Sequence, residues 1–250
     1  MVLELTIIGC SGSFPGPDSA ASCYLVEHDN TKIVLDMGNG SLGALQRLTD
    51  IYDLDAVVLS HTHLDHCADL CAYFVARSFR PGGSDSTVPV YGTPGVTDRM
   101  NQIFDGGRGR GMAAEFEFHE FGDRPIEIGP VRITSRRMRH VIESHAVRLE
   151  ADDTALVYSG DTGPCPELAS FAVGSDLALF EASFLDGDDN PPNLHLTGGE
   201  AAEAAARADV GRLVLTHLVP WHDPARVLAD AQAGWSGENV LARTGLKLRV

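Results

Sequence analysis

Apolar residues gather in short runs along the chain, and several of these runs stop abruptly at polar side chains. Ala56-Val57-Val58-Leu59 ends in Ser60-His61-Thr62-His63-Leu64-Asp65-His66. Ala155-Leu156-Val157-Tyr158 ends in Ser159-Gly160-Asp161-Thr162, and Leu213-Val214-Leu215 in Thr216-His217. Short β-rich apolar runs with polar bounds read as buried strands. Residues 1–9, 23–26 and 32–35, the alternating Val131-Arg132-Ile133-Thr134, and 176–180 leading to Glu181 read the same way. Helices are expected over 41–50, at or after Asp65, near 95–104 and over 201–208. Thr197 and Glu200 form a capping-box pattern ahead of the last of these. Residues 81–84 and 106–111, rich in glycine, read as loops.

The polar ends of these runs are where chemistry collects. Three imidazoles and a carboxylate fall within His61, His63, Asp65 and His66, at the mouth of a buried strand. Imidazole nitrogen and carboxylate oxygen are the ligands that borderline divalent metals prefer, zinc above all. An exposed His-rich turn or one satisfied core histidine would account for a single His, not for this set. Further ligand types follow in order: His140, Asp161 and His217. Val57-Val58-Leu59-Ser60-His61 and Leu213-Val214-Leu215-Thr216-His217 are nearly the same phrase written twice.

His-x-His-x-Asp-His, followed by these three, resembles the signature of the metallo-β-lactamase superfamily. The resemblance implies an α/β fold, a four-layer αβ/βα sandwich whose two halves deliver ligands to one edge. It implies two divalent metal ions, one on His61, His63 and His140 and the second on Asp65, His66 and His217, with Asp161 bridging them. Zinc is the default, with manganese or iron admitted by the carboxylates. Two cations about 3.5–4 Å apart can share a hydroxide of lowered pKa and clamp the oxygens of an in-line displacement. Asp65 would also orient that nucleophile.

Within the superfamily, Ser159-Gly160-Asp161-Thr162, Glu181-Ala182-Ser183-Phe184, His195-Leu196-Thr197-Gly198-Gly199-Glu200 and Leu215-Thr216-His217 are similar to the RNase Z-like branch of phosphodiesterases, which includes the tRNA 3′-processing endonuclease. There the resemblance makes Glu181 and His195 a proton shuttle, with His195 protonating the leaving oxygen; a tuned imidazole suits that task near neutrality. The tRNA enzyme carries a long arm between the positions of His140 and Asp161, where this chain has only 20 residues. The segment Ile8-Gly9-Cys10-Ser11-Gly12-Ser13, with Gly16-Pro17-Asp18-Ser19 and Leu42-Gly43-Ala44-Leu45-Gln46-Arg47, resembles actinobacterial members that hydrolyse cyclic nucleotides such as cAMP. The expected activity is hydrolysis of a small phosphodiester, a 3′,5′-cyclic nucleotide. An armless tRNA-processing endonuclease and a catalytically idle binding protein on the same fold are the alternatives. A β-lactam or thioester hydrolase would leave Glu181 and His195 with no leaving oxygen to protonate.

Bulk properties narrow the substrate. The chain has 250 residues, 35 acidic against 19 basic, for a net charge of −16. Polyanions are held mainly through phosphate contacts to Lys and Arg, so stable nucleic-acid binding is not expected. A compact ester needs only the local field of bound cations. The candidate ligands span residues 61 to 217 with no linker between them, so 1–250 is expected to be one domain. No signal-peptide pattern and no apolar run of ~20 residues is found. Five cysteines lack framework spacing. A cytoplasmic protein without a membrane partner is expected, and the branch suggests a homodimer. Residues 9–17 lack the lysine of a phosphate loop and read as a turn. Arg108 and Arg110 could grip a phosphate, but a solvated loop fits them better. His28 and His119 read as structural or surface residues, and Cys67 and Cys71 as small buried apolar ones.

Overall fold

Neighbouring residues of one strand feed different cores. Leu156 and Tyr158 join one buried cluster and Val157 another; Ile33 and Leu35 part from Val34 in the same way. Side chains alternate across a strand, so a continuous apolar run means that both sheet faces are covered. The computed structural model describes residues 2–83 and 86–250. Met1 of the expected first strand and Ser84 of the expected loop at 81–84 lie outside the described residues.

The first half of the chain supplies β1 (Glu4–Ser11), β2 (Ala20–Ala21), β3 (Cys23–His28), β4 (Thr31–Leu35), α1 (Ser41–Leu45), β5 (Ala56–Val58), α2 (Leu64–Cys67), α3 (Asp69–Ser78), β6 (Val88–Gly92), α4 (Val96–Asp105) and β7 (Phe116–Glu120). The second supplies β8 (Ile126–Ile128), β9 (Val131–Arg137), β10 (His145–Ala151), β11 (Thr154–Tyr158), α5 (Pro166–Ala172), β12 (Leu177–Glu181), α6 (Gly198–Ala208), β13 (Arg212–Thr216), α7 (Pro224–Gly234), β14 (Glu238–Leu241) and β15 (Lys247–Arg249). One sheet runs β15-β1-β3-β4-β5-β6-β7 with β2 beside β1, and the other β14-β13-β12-β11-β10-β9-β8.

The sheets pack face to face. Leu5, Ile7, Ile33 and Val58 of the first meet Leu149, Leu156, Leu179 and Val214 of the second in a central core. Leu45, Leu70, Tyr73 and Met100 from the helices cover the outer face of the first sheet, against Ile8, Val57 and Leu59. Leu168, Ala201, Ala205 and Val227 cover the second, against Val157, Phe180 and Leu213. The result is the expected α/β metallo-β-lactamase sandwich of four layers.

Some boundaries differ from expectation. The helix expected over 41–50 stops at Leu45. It contains Gly43, and Asp50 instead accepts a hydrogen bond from the Tyr52 amide to cap a 3₁₀ turn, a local bond that competes with helix. The helix expected from Asp65 begins one residue earlier, at Leu64, because His63 stays extended as its N-cap. β1 runs on to Ser11, and its pairing with β3 shifts register between Ile7 and Gly9, so strand occupies part of the expected turn. The capping box of Thr197 and Glu200 forms as expected.

β4 and β5 pair in parallel, as do β11, β12 and β13. Asp36, His61, Asp161 and His217 follow the carboxyl ends of four of these strands, and Glu181 closes the fifth. In sheets of this kind, ligands bind outside the carboxyl ends of parallel strands. Among the described residues no helix is long and apolar enough to cross a membrane, and the five cysteines are free thiols.

Candidate metal centre

The loop after β5 turns back on itself and brings His61, His63 and His66 together, with His61 and His66 fully buried. His61 Nε2 lies 3.1 Å from His63 Nδ1, and His140 Nε2 lies 3.3 Å from the same atom. Asp161 joins these three to make one group of ligand atoms within 4.8 Å of one another. Asp65, His66 and His217 form a second such group, and Asp161 belongs to it too. Its carboxylate stands 3.2 Å from His66 Nε2, 3.5 Å from His217 Nε2 and 3.6 Å from His61 Nε2. All seven residues expected as ligands are therefore at one place.

The outer nitrogens explain how the inner ones are aimed. His140 Nδ1 donates to the Leu194 carbonyl at 2.9 Å and His66 Nδ1 to the Asp36 carboxylate at 2.7 Å. Both partners can only accept, so each Nδ1 carries a proton and Nε2 is the nitrogen that faces inward. Ser60 Oγ donates to Asp36 at 2.8 Å, which leaves it to accept from His61 Nδ1 at 3.0 Å. His217 Nδ1 meets Ser22 Oγ at 2.9 Å. Such outer partners hold ligating imidazoles in one tautomer and orientation.

Asp36 is the member of this framework with no role in the sequence reading. Fully buried, it accepts from the Ser60 amide, Ser60 Oγ, Tyr158 and His66 at 2.7–2.8 Å. It follows β4 as His61 follows β5, and that shared placement was the available signal. Ser22 and the Leu194 carbonyl carried none. Gly160 allows the tight approach of the Asp161 loop: its φ is +57°, and a Cβ there would stand 2.7 Å from the His145 carbonyl and 3.0 Å from Ser60 Cβ.

The donor set fits divalent cations. His66 Nε2, His217 Nε2 and Asp161 Oδ1 are buried and make no hydrogen bond. Each unpaired polar atom of that kind costs about 1–3 kcal/mol, and three at one point would be matched by cation binding between them. Burial holds His61, His63 and His217 below their ordinary imidazole range, ready as neutral donors. Burial acts the same way on His66, but Asp161 and Asp36 outweigh it and keep that ring protonated well above its usual value. Asp161 is buried too, yet His217, His66 and His61 hold its carboxyl well below the usual range.

His195 and Glu181 form a third group with Asp161. Glu181 is fully buried at the end of β12. Its Oε1 accepts from the Thr162 amide and from His195 Nδ1, both at 2.9 Å, and Oε2 from the Ser183 amide at 3.3 Å. Burial disfavours the His195 cation, but Glu181 overcomes it and raises the pKa to about 9. Nδ1 is thus committed to Glu181, and Nε2–H remains to donate elsewhere.

The other candidates lie apart. Arg108 and Arg110 are exposed beyond α4 and, among the described residues, make no hydrogen bond or ion pair with these groups. His28 is buried beside Asp152, 3.5 Å away, and His119 stacks on Tyr91. Cys67 is buried as expected, whereas Cys71 is only partly so.

Residues 31–218 match the model of the Beta-lactamase superfamily domain. An uncharacterised protein of Mycobacterium leprae is 40% identical over 242 residues, covering 95% of this chain and 85% of the relative. A protein named ribonuclease Z from Mycobacterium marinum is 30% identical over 265 residues, covering 93% and 94% of the two chains. The probable metallo-hydrolase YhfI of Bacillus subtilis is 30% identical over 247 residues, covering 97% and 98%. The YhfI crystal structure superposes with a TM-score of 0.91 at 27% identity over the whole of both chains.

Proposed function

Since the chain belongs to the metallo-β-lactamase superfamily of metal-dependent hydrolases, we propose that it is a phosphodiesterase for small substrates, 3′,5′-cyclic nucleotides in particular. One observation carries this reading: the His195–Glu181 pair stands beside a seven-residue donor cluster, with an imidazole N–H left to give. His61, His63 and His140 would hold one ion, and Asp65, His66 and His217 a second, with Asp161 between; zinc is the first choice, manganese or iron the others. When bound, such a pair supplies Lewis acidity and an acidified water near neutral pH.

The protein's own groups do the rest. Glu181 holds the His195 ring in place and keeps it cationic. His195 Nε2 hands its proton to the ribose oxygen as the ester bond breaks. Asp65, partly exposed at the edge of the cluster, orients the attacking water. The charge of −16 and the two-residue turn at 152–153, where a tRNA arm would sit, support a compact substrate. A cytoplasmic homodimer without stable nucleic-acid contacts belongs to the same proposal.

The relative named ribonuclease Z favours a second reading, a tRNA-processing endonuclease. Turnover of cyclic nucleotides, linear diesters and precursor tRNA by protein of known metal content separates the two. The expected result is a higher kcat/KM on a cyclic nucleotide, and a higher value on precursor tRNA would overturn the first reading.

Metal uptake should also be linked to pH. His66 is a cation in the metal-free protein because its folded pKa is raised, and it must lose that proton to ligate. Binding therefore releases protons. Apparent affinity should rise with pH by about tenfold per unit for each proton released. Calorimetric titration of metal-free protein with Zn²⁺ in buffers of different ionisation enthalpy measures the release; zero protons at pH 7 would contradict the assignment of His66.

A further inference from the structure

We propose that Phe14 and Trp221 form a stacking surface for the base of the substrate, and so set the specificity of the site; this rests on the phosphodiesterase reading above. The two residues are 207 positions apart, yet their rings meet at a centroid distance of 5.1 Å with a tilt of 37°. Both are exposed, Phe14 by 38% and Trp221 by 68%. Large apolar side chains left in water are a cost that binding removes.

Their loops are fastened to a candidate ligand. The Gly12 amide donates to the Leu218 carbonyl at 3.0 Å, and the Leu218 amide to the Cys10 carbonyl at 2.8 Å, both at the residue next after His217. A Cβ on Gly12 would stand 2.9 Å from His217 Cδ2, so only glycine lets the first loop lie against that ring. Ser13 then takes a left-handed φ of +63°, an uncommon conformation for a residue with a side chain, just before Phe14. On the other loop, the His222 amide bonds the Val219 carbonyl at 3.0 Å and makes a turn that carries Trp221. Trp221 Nε1 donates to His222 Nε2 at 3.3 Å, which satisfies its polar edge.

The hollow of about 280 Å³ between the same loops is lined by Ser11, Gly16, Leu218, Pro220 and His222, and neither ring lines it. Both aromatic side chains thus remain on the outer surface. Leu64, between His63 and Asp65, and Val141 and Ile142, next after His140, are exposed as well. The rim of the donor cluster therefore carries several exposed apolar side chains, with Arg139 the exposed basic residue beside His140.

A planar base suits this rim. Every nucleobase has a π-face, and stacking on aromatic rings tolerates any of them. In a chain of net charge −16, cations at the donor cluster take the phosphate and the ring pair takes the base, with no call on Lys or Arg. The site would then hold a base-bearing cyclic phosphate at both ends and a base-less one at one end only.

The test compares metal-loaded wild type, a Phe14→Ala/Trp221→Ala double variant and Trp221→Phe. The substrates are 3′,5′-cyclic AMP and the base-less methyl riboside 3′,5′-cyclic phosphate. Loss of stacking should raise KM for cyclic AMP by about 5- to 150-fold. It should collapse the wild-type preference for the base-bearing substrate, while Trp221→Phe keeps most of it. An unchanged preference in the double variant, with wild type active on cyclic AMP, overturns the stacking surface and leaves the activity standing. Wild type inactive on cyclic AMP but active on other diesters overturns the cyclic-nucleotide reading and the surface with it. A homodimer in which Trp221 fluorescence is shielded from iodide assigns the pair to the subunit interface instead, and also overturns it.

Discussion

Asp161→Ala is expected to cause the largest loss, taking both metal content and activity with it. Its carboxylate is 2% exposed and lies within 3.2–3.9 Å of His61, His66, His140 and His217. It is the one residue common to all three donor groups. Outer partners of metal ligands already change affinity by about 10–100-fold, so loss of a shared carboxylate should exceed that. Reconstituted wild type should approach two metal equivalents per chain by elemental analysis, and the variant should fall below one. Metal-free Asp161→Ala should keep its far-ultraviolet circular dichroism, because the sheets are held by cores that do not include this side chain. Full metal content in the variant would sink the bridging assignment.

The second large effect depends on the leaving group. Opening a cyclic phosphate expels a ribose alkoxide, which needs a proton, whereas a nitrophenolate leaves readily without one. General acid catalysis is worth about 10²–10⁴-fold. His195→Ala should therefore retain its metal and lose activity of that order on cyclic AMP, with a far smaller loss on bis-nitrophenyl phosphate. Glu181→Gln should follow the same pattern more mildly. The sign of its pH effect is set by the raised pKa of His195, about 9. His195 acts when protonated, and Glu181 sustains that form against burial, so removing the carboxylate should move the alkaline limb of kcat/KM to lower pH. Equal slowing of both substrates by His195→Ala would give this ring a binding or structural role, and the acid would have to be sought elsewhere.

Much of the molecule could be read along the chain because its information is local. Alternation buries one run on two faces, so the central strands announced themselves as continuous apolar stretches. A ligand-type residue directly after such a run is carried to the sheet edge whatever the rest of the chain does; His61, Asp161 and His217 are of this kind. The capping box at Thr197 and Glu200 closes within four residues, and it forms as its pattern predicts. His195 has no strand immediately before it, and its place in the reading came from family resemblance.

What the chain alone did not reveal depends on partners distant in sequence. Which nitrogen of each imidazole faces inward is decided by acceptors such as Asp36 for His66, 30 residues away, and the Leu194 carbonyl for His140, 54 away. A backbone carbonyl has no sequence signature, and a buried carboxylate reveals its purpose only when its neighbours are known. Phe14 and Trp221 lie 207 positions apart, and packing of the loop at Gly12 against His217 brings their rings together. Sequence by itself determined the α/β layering and the types of residue offered as ligands, because hydrophobic periodicity and side-chain chemistry are properties of short segments. Only the tertiary structure decided the aim of the donors and the meeting of the Phe14 and Trp221 rings, because each is a hydrogen bond or ring contact between segments distant in the chain that meet only in the folded state.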